Sequence, residues 1–471
     1  MIRLRLTAIL LFLCASTFAQ FKADVSVDPR VELLSITFRL AGNQEYNDDY
    51  AKKYVEDINT WFGSYKSDPL IAYAMKMKQE RGVSYDAVMS MATHLSFDGT
   101  RFALLKESEN NLDKRWIQAD TAEFVKKLNA FYLKTNAKAF LAAHQEMYAE
   151  AVAKMQEAFK DFDQSWYAQY YGHKPDEAYK IVIGLGNGGG NYGSDVKPVN
   201  KQKIVYAIMG CWKFDEAGKA VFETDRYLPT LIHEFNHSFV NQLLPKNNHE
   251  QLLEKGATMI YSSVAKNMQE QAYSNWRTMV NESIVRASVV RYMMVHHAPQ
   301  REITREISEQ EGRGFYWTPA LVDLLGAYEE NKKRYPNFAS FYPKLIAFFD
   351  ETALHIDIIK GDYAAKQPKV KSLLPFENGT QNVDPSVKEI LITFDRPLLG
   401  KGHSFNKGSL GGDAVPIKKL IGYEQDNQAY RLGVELKPNT AYEFIVTGLS
   451  FKSVAGYPMQ PYTISFKTAS N

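Results

Sequence analysis

Two rhythms of apolar residues divide this chain. From about residue 45 to residue 175 apolar positions recur every three or four residues, as at Phe124, Leu128, Phe131 and Tyr132 and again at Phe140, His144, Tyr148 and Val152. That period predicts helices with one buried face. His144 falls on the stripe and His94 ends the helical stretch from Tyr85, so both are expected in the core or at its boundary rather than as ligands. At Tyr179 the rhythm shortens. Tyr179–Ile183 and Lys203–Met209 read as strands, joined through the glycine-rich stretch Gly184–Gly193. Gly184, Gly186 and Gly189 formally match G-x-G-x-x-G, but a dinucleotide site needs a helix to open there. Asn191, Pro198 and a further strand follow instead, so the expectation is a flexible loop. One of the two strands is expected at a sheet edge, where an extended peptide can pair.

The helical period resumes at about Asp225. One helix ends near Pro245, a second covers about His249 to Gln269, and a third about Tyr273 to His297; Pro319–Tyr335 and Tyr342–His355 follow. A boundary rich in Lys, Pro and Gly falls near Gly361–Leu374. Beyond it come short strands, Glu389–Phe394, Tyr430–Leu436, Tyr442–Thr447 and Tyr462–Phe466, separated by turns. This spacing predicts an all-β sandwich. The fold class expected is therefore α+β, a mainly helical domain with a small sheet followed by a sandwich.

Candidate chemistry lies in the first helix after Asp225. His233-Glu234-Phe235-Asn236-His237 is H-e-x-x-H, with Pro229 placed where a helix often begins. Histidines at i and i+4 share one helix face and can bind one Zn²⁺. Glu234 then lies near the metal without binding it, as a base acting on water requires. A catalytic zinc site needs a third protein ligand. A histidine six residues after His237 would complete one known pattern, but that position is Leu243. Glu282, in Val280-Asn281-Glu282-Ser283-Ile284, sits in a largely apolar helix where an unpaired carboxylate is costly. It can instead pair with Arg286 one turn on. His249 and Glu254 are rival third ligands. His296 and His297 lie about 21 Å along the helix from Glu282 and cannot reach the same ion.

The Asn281-Glu282 pair, together with His233-Glu234-x-x-His237, resembles the gluzincin metallopeptidases. The resemblance implies that His233, His237 and Glu282 hold zinc and that Glu234 is the general base. Forty-four residues separate His237 from Glu282, a longer gap than is usual in that group. Where thermolysin-like enzymes carry an acid to orient a zinc histidine, this chain has Arg286. Val31–Asn43, Gly82–Val88, and Asn281-Glu282 with Arg286-Ala287 are similar to an uncharacterised family of secreted bacterial proteins, over roughly residues 28 to 350. Pro375–Gly379, Ile390–Leu398 and Ile464–Thr468 resemble bacterial Ig-like domains. Together these imply a zincin-like catalytic domain over 20–365 and an Ig-like domain over 372–471, the latter offering cell-surface or glycan attachment.

Arg3 and Arg5, the apolar run Leu6–Ala15 and Thr17-Phe18-Ala19 form a secretory signal peptide over 1–19. Leu13 before Cys14 does not suit lipidation. Without the leader one cysteine remains, Cys211, so no internal disulfide forms although export is expected. The two leader arginines account for the whole net charge of +2. Such a balance does not indicate a nucleic-acid partner, and no later run suits a transmembrane segment. The expected activity is hydrolysis of a peptide or protein substrate by a zinc-activated water, with Tyr292, Tyr316 and Arg286 as candidates to stabilise the oxyanion. The alternative is a surface-binding or scaffolding protein with a structural or degenerate metal site.

Overall fold

A computed structural model describes residues 24–107, 111–174 and 177–470, so the predicted leader lies outside the described residues. The fold is α+β, as the two rhythms require. The described residues fall into two compact units. The first holds those up to Ser165 with Asp176–Thr224; the second holds Trp166–Pro175 and everything from Asp225.

The first unit begins with strand β1 (Asp24–Val27) and helix α1 (Pro29–Leu40). Asp28 caps α1 by accepting the Arg30 N–H at 2.9 Å, and Pro29 takes the first turn, where its missing N–H costs nothing. Every residue from Val31 to Leu40 is buried, including Glu32, Ser35, Thr37 and Arg39. Helices α2 (Lys52–Phe62), α3 (Pro69–Arg81) and α4 (Asp86–Thr93) follow, then the hairpin β2 (Leu95–Phe97) and β3 (Phe102–Leu104), then α5 (Gln118–Lys134), α6 (Ala137–Ala143) and α7 (Gln145–Ala158). His94 is 1% exposed, with Nδ1 2.7 Å from the Ser90 carbonyl. His144 is at the boundary, with Nδ1 2.8 Å from the Phe140 carbonyl and Nε2 3.2 Å from Asp57. After α8 (Ser165–Tyr171) come β4 (Ala178–Gly184), β5 (Tyr192–Val196) and β6 (Ile204–Gly210).

The sheet order is β1-β4-β6-β5, with β1, β4 and β6 parallel and β5 antiparallel to β6. This corrects one expectation. Neither β4 nor β6 is an edge strand; the edges are β1 and β5, the latter emerging from the glycine-rich stretch. That stretch turns over the buried Glu32 carboxylate, which accepts the Leu185 N–H at 2.8 Å, the Gly186 N–H at 3.2 Å and the Tyr54 hydroxyl at 2.8 Å. A Cβ on Gly186 would lie 3.3 Å from both Glu32 Oε2 and Ser35 Cβ, a tight contact that the glycine avoids.

The second unit contains α8 from Trp166 on, α9 (Thr224–Val240, from Asp225 on), α10 (His249–Glu270), α11 (Trp276–Val295), α12 (Gln300–Gly312), α13 (Thr318–Glu330) and α14 (Phe338–Lys366). Pro229 does not start α9; it lies inside. Proline cannot donate to the carbonyl four residues back. That carbonyl belongs to Asp225, and Arg305 Nη2 on α12 donates to it at 2.7 Å. The boundary near Gly361 is shorter than its composition indicates, since α14 continues to Lys366 and strand β7 (Val370–Leu374) begins four residues later.

Strands β8 (Glu389–Phe394), β9 (Phe405–Lys407), β10 (Ile417–Glu424), β11 (Ala429–Val434), β12 (Ala441–Val446) and β13 (Tyr462–Lys467) complete two antiparallel sheets, ordered β10-β11-β8-β7 and β13-β12-β9. Their alternating apolar residues, among them Ile390, Ile392, Leu432, Phe444, Ile464 and Phe466, share one core. The sandwich is fastened to the helices of its own unit. Tyr457 donates its hydroxyl to Glu311 Oε2 at 2.7 Å, Lys366 pairs with Glu311 Oε1 at 2.7 Å, and Gln367 Nε2 donates to the Pro458 carbonyl at 2.8 Å.

Candidate metal centre

The apolar face of α9 buries Leu231, Ile232, Phe235, Asn236 and Phe239 and leaves His233, Glu234 and His237 half-buried on the other side. Asn236, between the two histidines in sequence, fixes α9 to α11: its Nδ2 donates to the Val285 carbonyl at 3.2 Å, while its Oδ1 accepts from the Tyr171 hydroxyl at 2.9 Å. On α11, Ser283 Oγ accepts from Trp317 Nε1 at 3.1 Å. Of these buried bonds, Asn236–Val285 joins the two helices that carry the polar side chains.

The result is a cluster of three. His233 Nε2 and His237 Nε2 are 3.1 Å apart, and Glu282 places Oε2 3.5 Å from the first and Oε1 3.4 Å from the second. One ligand atom from each lies within 4.8 Å of the others, and no other group of this kind occurs among the described residues. His237 Nδ1 is 3.2 Å from Asn241 Oδ1, one helical turn on. The amide oxygen only accepts, so this contact puts the His237 proton on Nδ1 and turns the Nε2 lone pair toward the cluster. Glu282 Oε2 is buried and has no aligned hydrogen bond. Three groups that each offer a ligand atom thus lie together, which suits a cation. Two imidazoles and a carboxylate form the donor set of a catalytic zinc site.

Arg286 is also part of this arrangement. Its Nη2 lies 2.9 Å from Glu282 Oε2 and donates to the Tyr273 hydroxyl at 2.8 Å, and its Nη1 donates to Gln310 Oε1 at 2.6 Å. The guanidinium stands 4.8 Å from the Phe315 ring centre. Ligand and ion-pair readings of Glu282 therefore hold together: one carboxylate faces the histidines and the arginine at once. Burial opposes its ionisation, but Arg286, then His233 and His237, outweigh burial and hold its pKa down to about 2. Burial pushes His233 well below the ordinary histidine range, and the charges of Arg286 and Arg313 act in the same direction. Glu234 is raised, chiefly by burial. Burial pushes Tyr273 up to about 12, so this tyrosine keeps its proton.

The rival ligands are elsewhere. His249 is buried with Nδ1 2.8 Å from the Leu243 carbonyl and its ring stacked on Tyr342, while Glu254 is exposed. Tyr292 is not brought to the cluster. Tyr316 packs on Tyr363 at 4.8 Å between ring centres, and Tyr292 stacks on His296, ten residues along α11 from Glu282. That distance is about 15 Å of helix. Arg286 is present: Nη1 and Nη2 are engaged by Gln310, Tyr273 and Glu282, while Nε is buried without a hydrogen-bond partner. Sequence reasoning missed Asn241, Tyr273 and Gln310. Only Asn241 had a signal, its i+4 spacing from His237.

A model of the family described as Domain of unknown function (DUF4932) matches residues 24–348. The chain belongs to the DUF4932 family. The whole three-residue cluster lies inside the DUF4932 match, and the sandwich lies outside it. No curated protein matches the chain. Among solved structures, domains 1-6 of the surface layer protein SbsC are 12% identical over 85% of this chain and 46% of that one, with a TM-score of 0.18. The N-terminal part of the same bacterial S-layer protein is 13% identical over 82% and 78%, again with a TM-score of 0.18. The chain spans less than half the length of the first of these, and likenesses of this size carry no argument about fold or function. No helix among the described residues is long and apolar enough to cross a membrane.

Proposed function

We propose that this DUF4932 protein is a secreted zinc-dependent peptidase of gluzincin type, in which His233, His237 and Glu282 hold the metal and Glu234 is the general base. The observation that carries this reading is that three groups each offer a ligand atom within 4.8 Å of one another, with Glu234 half-buried on the same helix as the histidines. Three protein ligands are the number a catalytic zinc site uses, a structural site being closed by a fourth. A zinc ion held there would supply a Lewis acid and lower the pKa of a water molecule.

The chain's own residues then have separate tasks. Glu234 takes the proton of the attacking water on its carboxylate and passes it to the leaving nitrogen. Asn241 holds His237 in the tautomer that presents Nε2. Arg286 keeps Glu282 ionised and oriented, which makes it a positioning residue. The C-terminal sandwich is, in this reading, an Ig-like module attached to the peptidase body.

The test is to purify the full chain after export, measure bound zinc, and compare wild type with Glu234→Gln on a broad peptide library. The variant should keep zinc and lose cleavage by about 10²- to 10⁴-fold, the usual worth of a general base. Absence of zinc from the wild type, or unchanged cleavage by the variant, overturns the reading.

A further inference from the structure

Glu306, Gln310 and Arg313 are spaced by four and three residues and so share one face of α12 and its C-terminal cap. This is the face that meets the metal centre. Gln310 accepts from Arg286, and its amide donates to Glu306 Oε1 at 2.6 Å. Arg313 is the last member of the stripe, at the open end of the helix, and its side chain is exposed.

Its backbone, by contrast, is fixed. The Arg313 N–H donates to the Glu309 and Gln310 carbonyls, both at 3.1 Å, and the Arg313 carbonyl accepts from Gln271 Nε2 at 2.7 Å. The next residue, Gly314, has φ of +99°, and a Cβ there would come within 2.6 Å of Asn267 Cβ. Only glycine fits that turn, so Arg313 projects from an anchored point.

The other arginines around the centre are neutralised. Arg226 pairs with Glu309 at 3.1 Å, Arg305 with Asp225 at 3.0 Å and Arg286 with Glu282 at 2.9 Å. Arg313 makes no ion pair among the described residues, yet its charge is felt at His233 and at Glu306. A guanidinium is a planar fork of donors that matches a carboxylate in two parallel hydrogen bonds. Carried on a fixed backbone on the helix face that meets the centre, and without an ion pair among the described residues, it is available to a carboxylate that arrives with the substrate.

We propose that Arg313 is the substrate-carboxylate receptor of this centre, and that the preferred substrates are peptides with a carboxylate close to the bond that is cut. This rests on the peptidase reading above. The carboxylate comes either from a free C-terminus or from an acidic side chain.

The experiment uses the zinc-loaded full chain and matched peptide pairs: a blocked peptide as its C-terminal acid or amide, and an amidated peptide with Glu or Gln beside the cleaved bond. The wild type should favour the anionic member of one pair by about tenfold or more in kcat/KM, as expected for a charged hydrogen bond. The responding pair identifies the source of the carboxylate. Arg313→Ala should bring that ratio to about one, with Arg313→Lys between them. A wild-type ratio near one in both pairs, or a ratio that Arg313→Ala leaves intact, overturns the proposal.

A second arm separates this from failure of the peptidase reading. Acetyl-Ala-Ala and its amide, and likewise acetyl-Ala-Glu-amide and acetyl-Ala-Gln-amide, are titrated calorimetrically into zinc-loaded Glu234→Gln, with and without Arg313→Ala. If nothing is cleaved but the acid binds more tightly in an Arg313-dependent way, the receptor stands and the peptidase reading falls. Equal binding of acid and amide, together with equal binding of acetyl-Ala-Glu-amide and acetyl-Ala-Gln-amide, overturns the receptor whatever the activity.

Discussion

Two buried carboxylates, one in each unit, show how differently a fold can treat the same side chain. Glu32 is fully buried in the first unit, and its oxygens are met by two backbone N–H groups and the Tyr54 hydroxyl. No cation pairs with it among the described residues. Burial is the dominant influence, and its pKa is pushed up to about 7. Glu282 in the second unit is 6% exposed, faces two imidazole lone pairs and an arginine, keeps one oxygen without an aligned hydrogen bond, and has its pKa held down to about 2. Glu32 is a satisfied acceptor that seats a loop. Glu282 is kept ionised and incompletely satisfied, which is the condition of a ligand. Burial alone does not distinguish them; the neighbours do.

The comparison is tested most severely at Glu282. Glu282→Ala should reduce retained zinc from about one ion per chain, the stoichiometry of a single catalytic site, to none detectable by metal analysis after dialysis. Full retention would make Glu282 a structural carboxylate like Glu32. Next comes Arg286→Met. In the zinc-free protein it leaves Glu282 as an uncompensated buried charge and should cost about 3–5 kcal/mol in denaturant unfolding. Zinc should restore much of that loss, because the ion replaces the missing positive charge. If zinc restores nothing, the two carboxylates differ less than their surroundings imply.

Glu32 gives the opposite pH signature. Its folded pKa lies above the ordinary value of 4.5, so its contribution is fully present below about pH 4.5 and is lost as pH rises through about 7. The change amounts to at most roughly 3 kcal/mol. Glu32→Gln should flatten that part of the stability profile, measured by urea melts across the same window. A profile unchanged by the substitution would remove Glu32 from the account. The smallest expected effect is at Asn241. Asn241→Ala should weaken zinc binding by about tenfold, the lower end of what a partner of a metal histidine contributes, measured by chelator competition. An unchanged affinity would show that His237 needs no help to present Nε2.

These contrasts were unequally legible in the sequence. His233, Glu234 and His237 could be read because a helix makes i and i+4 neighbours without help from the rest of the fold, and Glu282 because a carboxylate in an apolar helix requires a reason. Helix α1 gave no such contrast. All of Val31–Leu40 is buried, polar residues included, so no apolar stripe marks it. Strand β10 failed for the opposite reason: it is a sheet edge with most side chains exposed or half-exposed, so strand alternation is weak. Tyr273 lies in the turn before α11, where no period reports which way a side chain faces. Pro229 was misplaced because a proline at a helix start and one inside a helix look alike until the partner of the freed carbonyl, here Arg305, is seen.

Helix α12 connects these parts. Arg305 holds the carbonyl that Pro229 frees in α9, Gln310 holds the arginine behind Glu282, and Glu311 takes the Tyr457 hydroxyl from the sandwich. Thirteen residues of helix thus act as a tie-rod between the metal-bearing helices and the C-terminal β module. The sandwich is consequently no detachable tag. Cutting the chain after α14 would strip Glu311, the residue next to Gln310, of the Tyr457 hydroxyl.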